Sequence, residues 1–161
     1  RIKIDLHAVD VAAVIASTLI SLTRLSTPRR ITVQVEAPVD LPPARCDPQR
    51  LSQVLTHLIG NAIRYSPEES RVIVQASSLS APGRLQIMVV DRGIGIAPED
   101  QTRLFTPFFR SDDPRVRQEP GWGLGLHLSS RLIEVLGGTL TIASSIEQGT
   151  TATFTLPIDA P

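Results

Sequence analysis

Two glycines follow an aspartate directly after an apolar run in the segment Asp91-Arg92-Gly93-Ile94-Gly95-Ile96. Residues 85–90 before it are predicted to form a buried strand, so Asp91 lies where that strand leaves the core. A carboxylate in that position can accept a hydrogen bond from a buried donor. Gly93 and Gly95 lack side chains, which lets the main chain turn sharply and approach a flat ligand. An ordinary turn after a strand is the alternative for this segment alone.

A predicted helix that begins at Asp47-Pro48 carries two separate stripes of side chains. The first is an apolar core stripe made of Leu51, Val54, Leu55, Leu58 and Ala62. The second lies about 120° away at about 100° per residue, and it consists of His57, Asn61, Arg64 and Tyr65. Asparagine is a poor residue for a helix interior because its side chain competes for backbone hydrogen bonds. An Asn one turn from a His, beside Arg and Tyr, is therefore unusual for a plain amphipathic helix, and a solvated polar face is the alternative.

A glycine-rich segment, Gly121-Trp122-Gly123-Leu124-Gly125-Leu126, opens another predicted helix. The free N–H groups at such a helix start are suited to phosphate. Residues 111–120 before it are polar, charged and rich in proline, and we expect a mobile lid at about 110–121, with an ordinary surface loop as the alternative. The sequence has no Gly-Lys-Ser/Thr, which excludes a P-loop. The glycines follow a charged loop instead of a strand, which excludes a dinucleotide-binding turn.

Composition narrows the classes of protein further. The 161 residues include 16 Lys and Arg and 16 Asp and Glu, so no broad basic surface is expected and nucleic acid is not a predicted partner. Hydrophobic residues make up 42% and aromatic residues 4%, which predicts one globular domain with an aliphatic core. Cys46 is the only cysteine and suits a reducing cytosol. No apolar segment reaches the roughly 18–20 residues of a membrane span, so no membrane contact is expected.

Hydrophobic periodicity predicts an order of elements in which strands and helices are mixed. Strands are predicted at residues 2–6, 31–36, 72–76, 85–90, 139–144 and 151–156, with a short edge pairing at 44–46. Helices are predicted over residues 11–22 with Asp10 as N-cap, after Asp47-Pro48, briefly over 98–104, and from the glycine-rich segment to Gly137-Gly138. Residues 77–83 are predicted to be a hairpin loop.

Four of these motifs recur in an order that resembles a known family. They are His57–Ser66, Asp91–Ile96, Phe105–Arg110 and Gly121–Leu126. They resemble the N, G1, F and G2 boxes of the catalytic and ATP-binding domain (HATPase_c, GHKL superfamily) of bacterial sensor histidine kinases, and Gly149-Thr150 is similar to the family's last glycine-threonine motif. The resemblance covers residues 1–161 as one domain. It implies an α/β (α+β) two-layer sandwich, the Bergerat ATP-binding fold, with a mixed, mostly antiparallel sheet of about five strands under three helices.

The resemblance also implies roles for individual residues toward ATP and Mg²⁺. Asp91 is expected to accept the adenine amine, Asn61 to hold Mg²⁺ through its side-chain oxygen, Arg64 to lie near the phosphates and Tyr65 near the nucleoside. The expected lining of the phosphate tail is Gly123, Leu124, Gly125 and Leu126. The remaining ATP-binding positions are Gly93, Gly95, Ile96 and Thr150, together with one lid arginine among Arg110, Arg115 and Arg117.

The sequence departs from the family pattern at its histidines. His57 stands where these kinases usually carry an asparagine, and where related ATPases carry a glutamate that activates water, so both a phosphate contact and a base remain open for it. Neither His7 nor His127 lies in the sequence context of a phosphoacceptor helix. The chain begins at Arg1 instead of Met, and we expect a fragment of a longer protein whose acceptor helices precede it.

The resulting hypothesis is a cytoplasmic protein-histidine kinase catalytic core with His57 and Asn61 as its catalytic residues. It binds Mg·ATP and transfers the γ-phosphoryl group to a histidine on a separate dimerisation and phosphotransfer domain of the same protein, with a response regulator downstream. Two alternatives share the fold: a serine kinase of the anti-sigma-factor type, and a nucleotide-sensing module without transfer activity. The intact glycines argue against the sensing module, and the Phe-rich segment Phe105–Arg110 argues against the serine kinase because it suits docking on a helical domain.

Overall fold

The computed structural model describes residues 3–79, 83–106, 113 and 125–159. Its strands are β1 (His7–Val9), β2 (Thr32–Glu36), β3 (Ala44–Cys46), β4 (Arg71–Leu79), β5 (Arg84–Val90), β6 (Leu140–Ser145) and β7 (Gly149–Pro157). Five of them form one sheet in the order β2-β4-β5-β7-β6, while β1 and β3 form a small antiparallel sheet of their own. The β2–β4 pair is parallel and the other three neighbouring pairs in the large sheet are antiparallel.

Three longer helices and two single turns complete the described elements. They are α1 (Val11–Ser21), α2 (Thr23–Ser26), α3 (Pro48–Arg64), α4 (Pro98–Gln101) and α5 (Gly125–Val135). On β4 and β5 buried side chains alternate with partly exposed ones, so one face of the sheet is covered. Helix α3 contacts both α1 and α5 as well as the sheet. The predicted two-layer sandwich with a mixed, mostly antiparallel five-stranded sheet is confirmed. None of the helices in the described part of the chain is long and apolar enough to cross a membrane.

Local sequence explains why α3 is the central helix. Its N-cap Asp47 accepts the main-chain N–H of Gln49 at 2.9 Å, and Pro48 occupies the first turn, where no donor is needed. The predicted core stripe is buried along its whole length: Leu51, Val54, Leu55, Leu58 and Ala62 are at most 4% exposed. Ile59 and Ile63 are also fully buried, so α3 presents a wide apolar face to the core, while the residues of the second stripe stay half-buried.

Three elements differ from the sequence prediction. The strand predicted at residues 2–6 was wrong for the described residues 3–6, because the chain pairs later, with His7 opposite Cys46 and Val9 opposite Ala44. The single-turn helix α2 was not predicted. The loop predicted from Ser77 is shorter, since β4 continues to Leu79 with Ser77 paired to Gln86. For the two strands the pairing partner decides the boundary, and periodicity within one segment does not reveal that partner.

Candidate nucleotide site

At one end of the large sheet, three neighbouring strands carry polar residues on the covered face. The last apolar row across β5, β7 and β6 is Val89, Ala152 and Ile142, which are paired in register and belong to the core or pack against it. Because side chains alternate along a strand, residues two positions further on share that face. These residues are Asp91, Thr150 and Ser144. The apolar row is therefore followed by a row of polar residues at this end of the sheet, below the end of α3.

Asp91 occupies the first position in this polar row and has one carboxylate oxygen fully engaged. Its Oδ1 accepts the main-chain N–H of Gly93 at 2.8 Å and that of Thr150 at 3.1 Å. The Asp91 N–H donates in turn to the Thr150 carbonyl oxygen at 2.9 Å. Within the described part of the chain, Oδ2 has no hydrogen-bond partner. The main chain thus fixes the carboxylate and leaves one acceptor oxygen for a ligand.

The Asp91 carboxyl has a raised pKa because it is largely buried. Burial raises this pKa above its ordinary value of 3.8, and the N–H donors of Gly93 and Thr150 pull it only partly back. The ionised form at neutral pH is therefore incompletely compensated by the protein alone. A ligand that donates a hydrogen bond to Oδ2 supplies part of the missing compensation.

The two glycines after Asp91 allow main chain to pack against main chain. A Cβ on Gly93 would lie less than 3.0 Å from the carbonyl group of Tyr65 at the end of α3. Gly95 has φ +74°, and a Cβ there would lie less than 3.0 Å from the main chain of Ser145. The Ile94 N–H also donates to the Tyr65 carbonyl oxygen at 3.2 Å. The loop is therefore held between α3 and the β6–β7 turn. The two glycines are needed for these contacts within the protein, and their approach to a flat ligand stays a prediction.

Ser144 and Gln101 join the same loop to the edge of the sheet. Ser144 Oγ accepts the N–H of Ile96 at 2.9 Å and lies 2.8 Å from Thr150 Oγ1 and 3.0 Å from the Gly149 carbonyl oxygen. Gln101 Nε2 donates to the carbonyl oxygens of Ile96 at 2.8 Å and Ser144 at 3.1 Å. Sequence reasoning missed both residues. The position of Ser144, two residues after an inward apolar side chain, was the available signal, and none existed for Gln101.

The second stripe of α3 lies just before the turn that meets Gly93. His57, Asn61, Arg64 and Tyr65 are all half-buried. Burial lowers the pKa of His57 below its ordinary 6.5, and the Arg64 charge lowers it further. His57 is therefore a neutral imidazole at neutral pH, with Arg64 supplying the positive charge of this surface.

Asn61 is the only asparagine in the sequence. The Asn61 side-chain amide makes no hydrogen bond to any described residue. The main-chain carbonyl oxygen of Asn61 accepts the Tyr65 N–H at 3.1 Å. Mg²⁺ prefers oxygen ligands, and it usually combines one or two protein ligands with waters and substrate phosphates. The described residues contain no group of three or more His, Cys, Asp or Glu that holds a metal by itself. The residues present thus fit Mg²⁺ bound jointly by Asn61 and a nucleotide.

The remaining predicted site residues fall into two groups. Gly125 begins α5 and Leu126 follows it, half-buried and packed against the core. Nearby, His127 Nδ1 lies 3.0 Å from the carbonyl oxygen of Phe105 and ties α5 to the segment after α4. Apart from residue 113, the predicted lid at about 110–121 lies outside the described residues, and so do Arg110, Arg115, Arg117, Gly123 and Leu124.

Comparisons with known proteins identify the family to which this chain belongs. The model of the family described as "Histidine kinase-, DNA gyrase B-, and HSP90-like ATPase" matches residues 46–160. The adaptive-response sensory kinase SasA of Synechococcus sp. (strain CC9311) is 32% identical over 150 residues, covering 92% of this chain and 38% of SasA. The sensor-like histidine kinase SenX3 of Mycobacterium tuberculosis is 42% identical over 130 residues, covering 81% of this chain and 30% of SenX3.

Two solved structures share the whole fold. Full-length ShkA in complex with AMPPNP has a TM-score of 0.86 and 28% identity, covering 99% of this chain and 32% of ShkA. The mycobacterial sensor histidine kinase MprB has a TM-score of 0.81 and 27% identity, covering 96% of this chain and 98% of that structure. The chain belongs to the histidine kinase-, DNA gyrase B- and HSP90-like ATPase family. Within it, the chain is a catalytic domain of the bacterial sensor histidine kinase type, and it spans 30–38% of the length of the two curated relatives above.

Proposed function

We propose that this domain binds Mg·ATP and transfers its γ-phosphoryl group to a histidine on a separate dimerisation and phosphotransfer domain, from which a response regulator is phosphorylated. The observation that carries the proposal is the Asp91 carboxylate, whose Oδ1 is held by two main-chain donors while Oδ2 is open within the described residues. An acceptor fixed in this way suits the exocyclic amine of adenine. The AMPPNP in the ShkA complex supports a nucleotide as the ligand of the shared fold.

Each part of the described site has a distinct task in this proposal. Asp91 receives the adenine amine, and Thr150 beside it completes the base pocket with Gly93, Gly95 and Ile96. Tyr65 packs near the nucleoside and Arg64 places a positive charge near the phosphates. The start of α5, with Gly125 and Leu126, lies near the phosphates. Arg110, Gly123 and Leu124, which are outside the described residues, stay predicted phosphate contacts.

Phosphoryl transfer in such a site depends on positioning and charge neutralisation more than on covalent chemistry by the protein. Bound Mg²⁺ would offset negative charge on the phosphate oxygens, and Asn61 would hold it through its side-chain oxygen. His57 is neutral and makes no hydrogen bond to a carboxylate among the described residues. A general base needs an orienting partner and a proton within about 3 Å. The site is therefore suited to transfer onto a docked acceptor and poorly suited to activating water.

The test combines binding with product chemistry. The 161-residue chain should bind Mg·ATP in calorimetry, show no phosphorylation of itself, and label an added dimerisation and phosphotransfer domain. The labelled product should be lost in acid and survive in base, as expected for phosphohistidine. An acid-stable product would indicate the serine kinase. Absence of ATP binding would contradict the proposal altogether.

A further inference from the structure

The Ser144 hydroxyl has one proton and three partners. Ile96 N–H donates to Ser144 Oγ at 2.9 Å. The Gly149 carbonyl oxygen lies 3.0 Å from Ser144 Oγ and can only accept. Thr150 Oγ1 lies 2.8 Å away and can do either. Of the three contacts, two therefore have a fixed direction.

One arrangement satisfies all three contacts. Ser144 must give its single proton to the Gly149 carbonyl oxygen, because otherwise two acceptor oxygens would face each other at 3.0 Å. Ser144 Oγ then has two lone pairs, and it accepts from Ile96 N–H and from the Thr150 hydroxyl. The Thr150 hydroxyl proton consequently points at Ser144. Its remaining lone pairs are presented away from Ser144, beside the Asp91 carboxylate that the Thr150 N–H holds at 3.1 Å.

We propose that Ser144 is a specificity-determining positioning residue, which fixes the Thr150 hydroxyl as an acceptor toward the ligand. This inference rests on the proposed nucleotide-binding function and deepens it. Asp91 Oδ2 and Thr150 Oγ1 together form a surface of acceptors only. Such a surface favours a base edge that donates, as the 6-amine of adenine does, and disfavours one that accepts, as the 6-oxo group of hypoxanthine does. Ser144 acts through Thr150 and touches no ligand itself.

Gln101 keeps Ser144 in place from the other side. Its side-chain amide donates to the carbonyl oxygens of both Ile96 and Ser144. These two residues are also joined by the Ile96 N–H to Ser144 Oγ bond. The strand end that carries Ser144 is thus clamped to the loop after β5 by three hydrogen bonds. The protein alone therefore fixes the orientation of the Thr150 hydroxyl before any ligand binds.

The experiment measures the dissociation constants of Mg·ATP and of magnesium inosine triphosphate, which carries an oxo group in place of the 6-amine. Wild type should prefer ATP. In Ser144→Ala the Thr150 hydroxyl is free to rotate and donate, so ATP should weaken by about 2- to 10-fold, the effect of one neutral hydrogen bond. Inosine triphosphate should bind as well as before or better. The dissociation constant of inosine triphosphate divided by that of ATP should therefore fall at least about twofold.

Four further variants distinguish a positioning role of Ser144 from a general loss of structure. Ser144→Thr keeps the hydroxyl and should restore the wild-type ratio. Thr150→Val removes the hydroxyl that Ser144 directs, and adding Ser144→Ala to it should change the ratio no further. Ser145→Ala is the matched control, because that neighbouring serine is exposed on the opposite face of β6. If Ser144→Ala does not fold, Ser144→Cys replaces it, since a thiol is only a weak donor and acceptor.

The possible outcomes are distinct. A wild type that binds ATP tightly and prefers it, with an unchanged ratio in Ser144→Ala, overturns the inference and leaves the proposed function intact. A ratio that falls equally in Ser145→Ala also overturns it, since the effect would then be structural. A wild type that binds neither nucleotide contradicts the proposed function itself.

Discussion

The main chains of Gly149 and Asp91 are in direct contact. A Cβ on Gly149 would lie less than 3.0 Å from both the Asp91 carbonyl group and the Arg92 Cα, and Gly149 has φ +110°. Both the space and the backbone conformation thus require glycine at this position. The contact presses the start of β7 against the loop that leaves β5, next to the carboxylate that we assign to adenine.

Gly149→Ala should therefore destabilise the domain and weaken ATP binding together. Positive φ costs an alanine about 1–2 kcal/mol, and overpacking adds about 1–3 kcal/mol. Gly83→Ala is the matched control: it also has positive φ, +86°, but no described atom lies within 4 Å of its Cβ. It should lower the free energy of unfolding by the backbone cost alone and leave ATP affinity unchanged. Urea unfolding and calorimetry measure both, and equal losses in the two variants would contradict the packing argument.

Asp91→Asn should separate stability from binding. The asparagine oxygen can keep both main-chain donors, while its NH₂ group faces the adenine amine as a second donor. Losing the charge-assisted bond should weaken ATP by about 10- to 150-fold. The free energy of unfolding at neutral pH should stay equal or rise, because the substitution removes an incompletely compensated buried charge. Asp40→Asn, in an exposed turn, is the control. ATP binding within twofold of wild type would mean that Asp91 is not the adenine anchor.

The raised pKa of Asp91 predicts a specific pH dependence. The folded state takes up a proton at a higher pH than the unfolded chain, whose Asp titrates near 3.8. As pH falls through the folded pKa, the cost of burying the charge disappears, so the stability advantage of Asp91→Asn should shrink. ATP affinity of wild type should fall in the same range, because the neutral carboxyl is a weaker acceptor. The phosphates of ATP titrate equally with both proteins, so the difference in ATP affinity between wild type and Asp91→Asn isolates the effect of Asp91. If ATP affinity depended on pH in the same way in both proteins, the prediction would be contradicted.

How much the sequence predicts depends on whether a feature is local. The α3 stripes and the Asp47 cap follow from spacing within one helix, and the structure has them. The position of β1 and the parallel β2–β4 pair depend on partners far along the chain, which periodicity does not reveal. Gln101 illustrates the limit for the site: nothing near it in sequence indicates that its amide joins Ile96 to Ser144, which lies 43 residues away.

We expect that His57 does not act as a general base in ATP hydrolysis. Its lowered pKa keeps it neutral above its ordinary 6.5, so ATP turnover between about pH 7 and 9 should show no inflection from it. Hydrolysis by the chain alone should be very slow, His57→Asn should retain transfer to an added acceptor domain, and His57→Glu should raise hydrolysis. His7→Asn, an exposed histidine on β1, is the control. Phosphate release is the readout, and brisk hydrolysis abolished by His57→Ala would make His57 a base.

Removing Mg²⁺ should reveal the task of Asn61. ATP affinity of wild type is expected to fall when EDTA replaces Mg²⁺. In Asn61→Ala the affinity measured with Mg²⁺ should drop toward the EDTA value, because the side-chain oxygen ligand is gone. Gln53→Ala, an exposed amide on the same helix, should behave as wild type. An undiminished Mg²⁺ effect in Asn61→Ala would place the metal elsewhere.

The last strand in sequence, β7, lies inside the sheet between β5 and β6. Asp91 makes two of its main-chain hydrogen bonds with Thr150 on that strand, and two of the three partners of the Ser144 hydroxyl, Gly149 and Thr150, lie there as well. A chain emerging from the ribosome therefore lacks the proposed base pocket until residues 149–157 have been made and inserted into the sheet. Such long-range closure is slow compared with helix formation. Nucleotide binding thus reports on completed folding, and ATP at cellular concentration would act as a late-stage stabiliser that selects fully closed sheets over partly assembled ones.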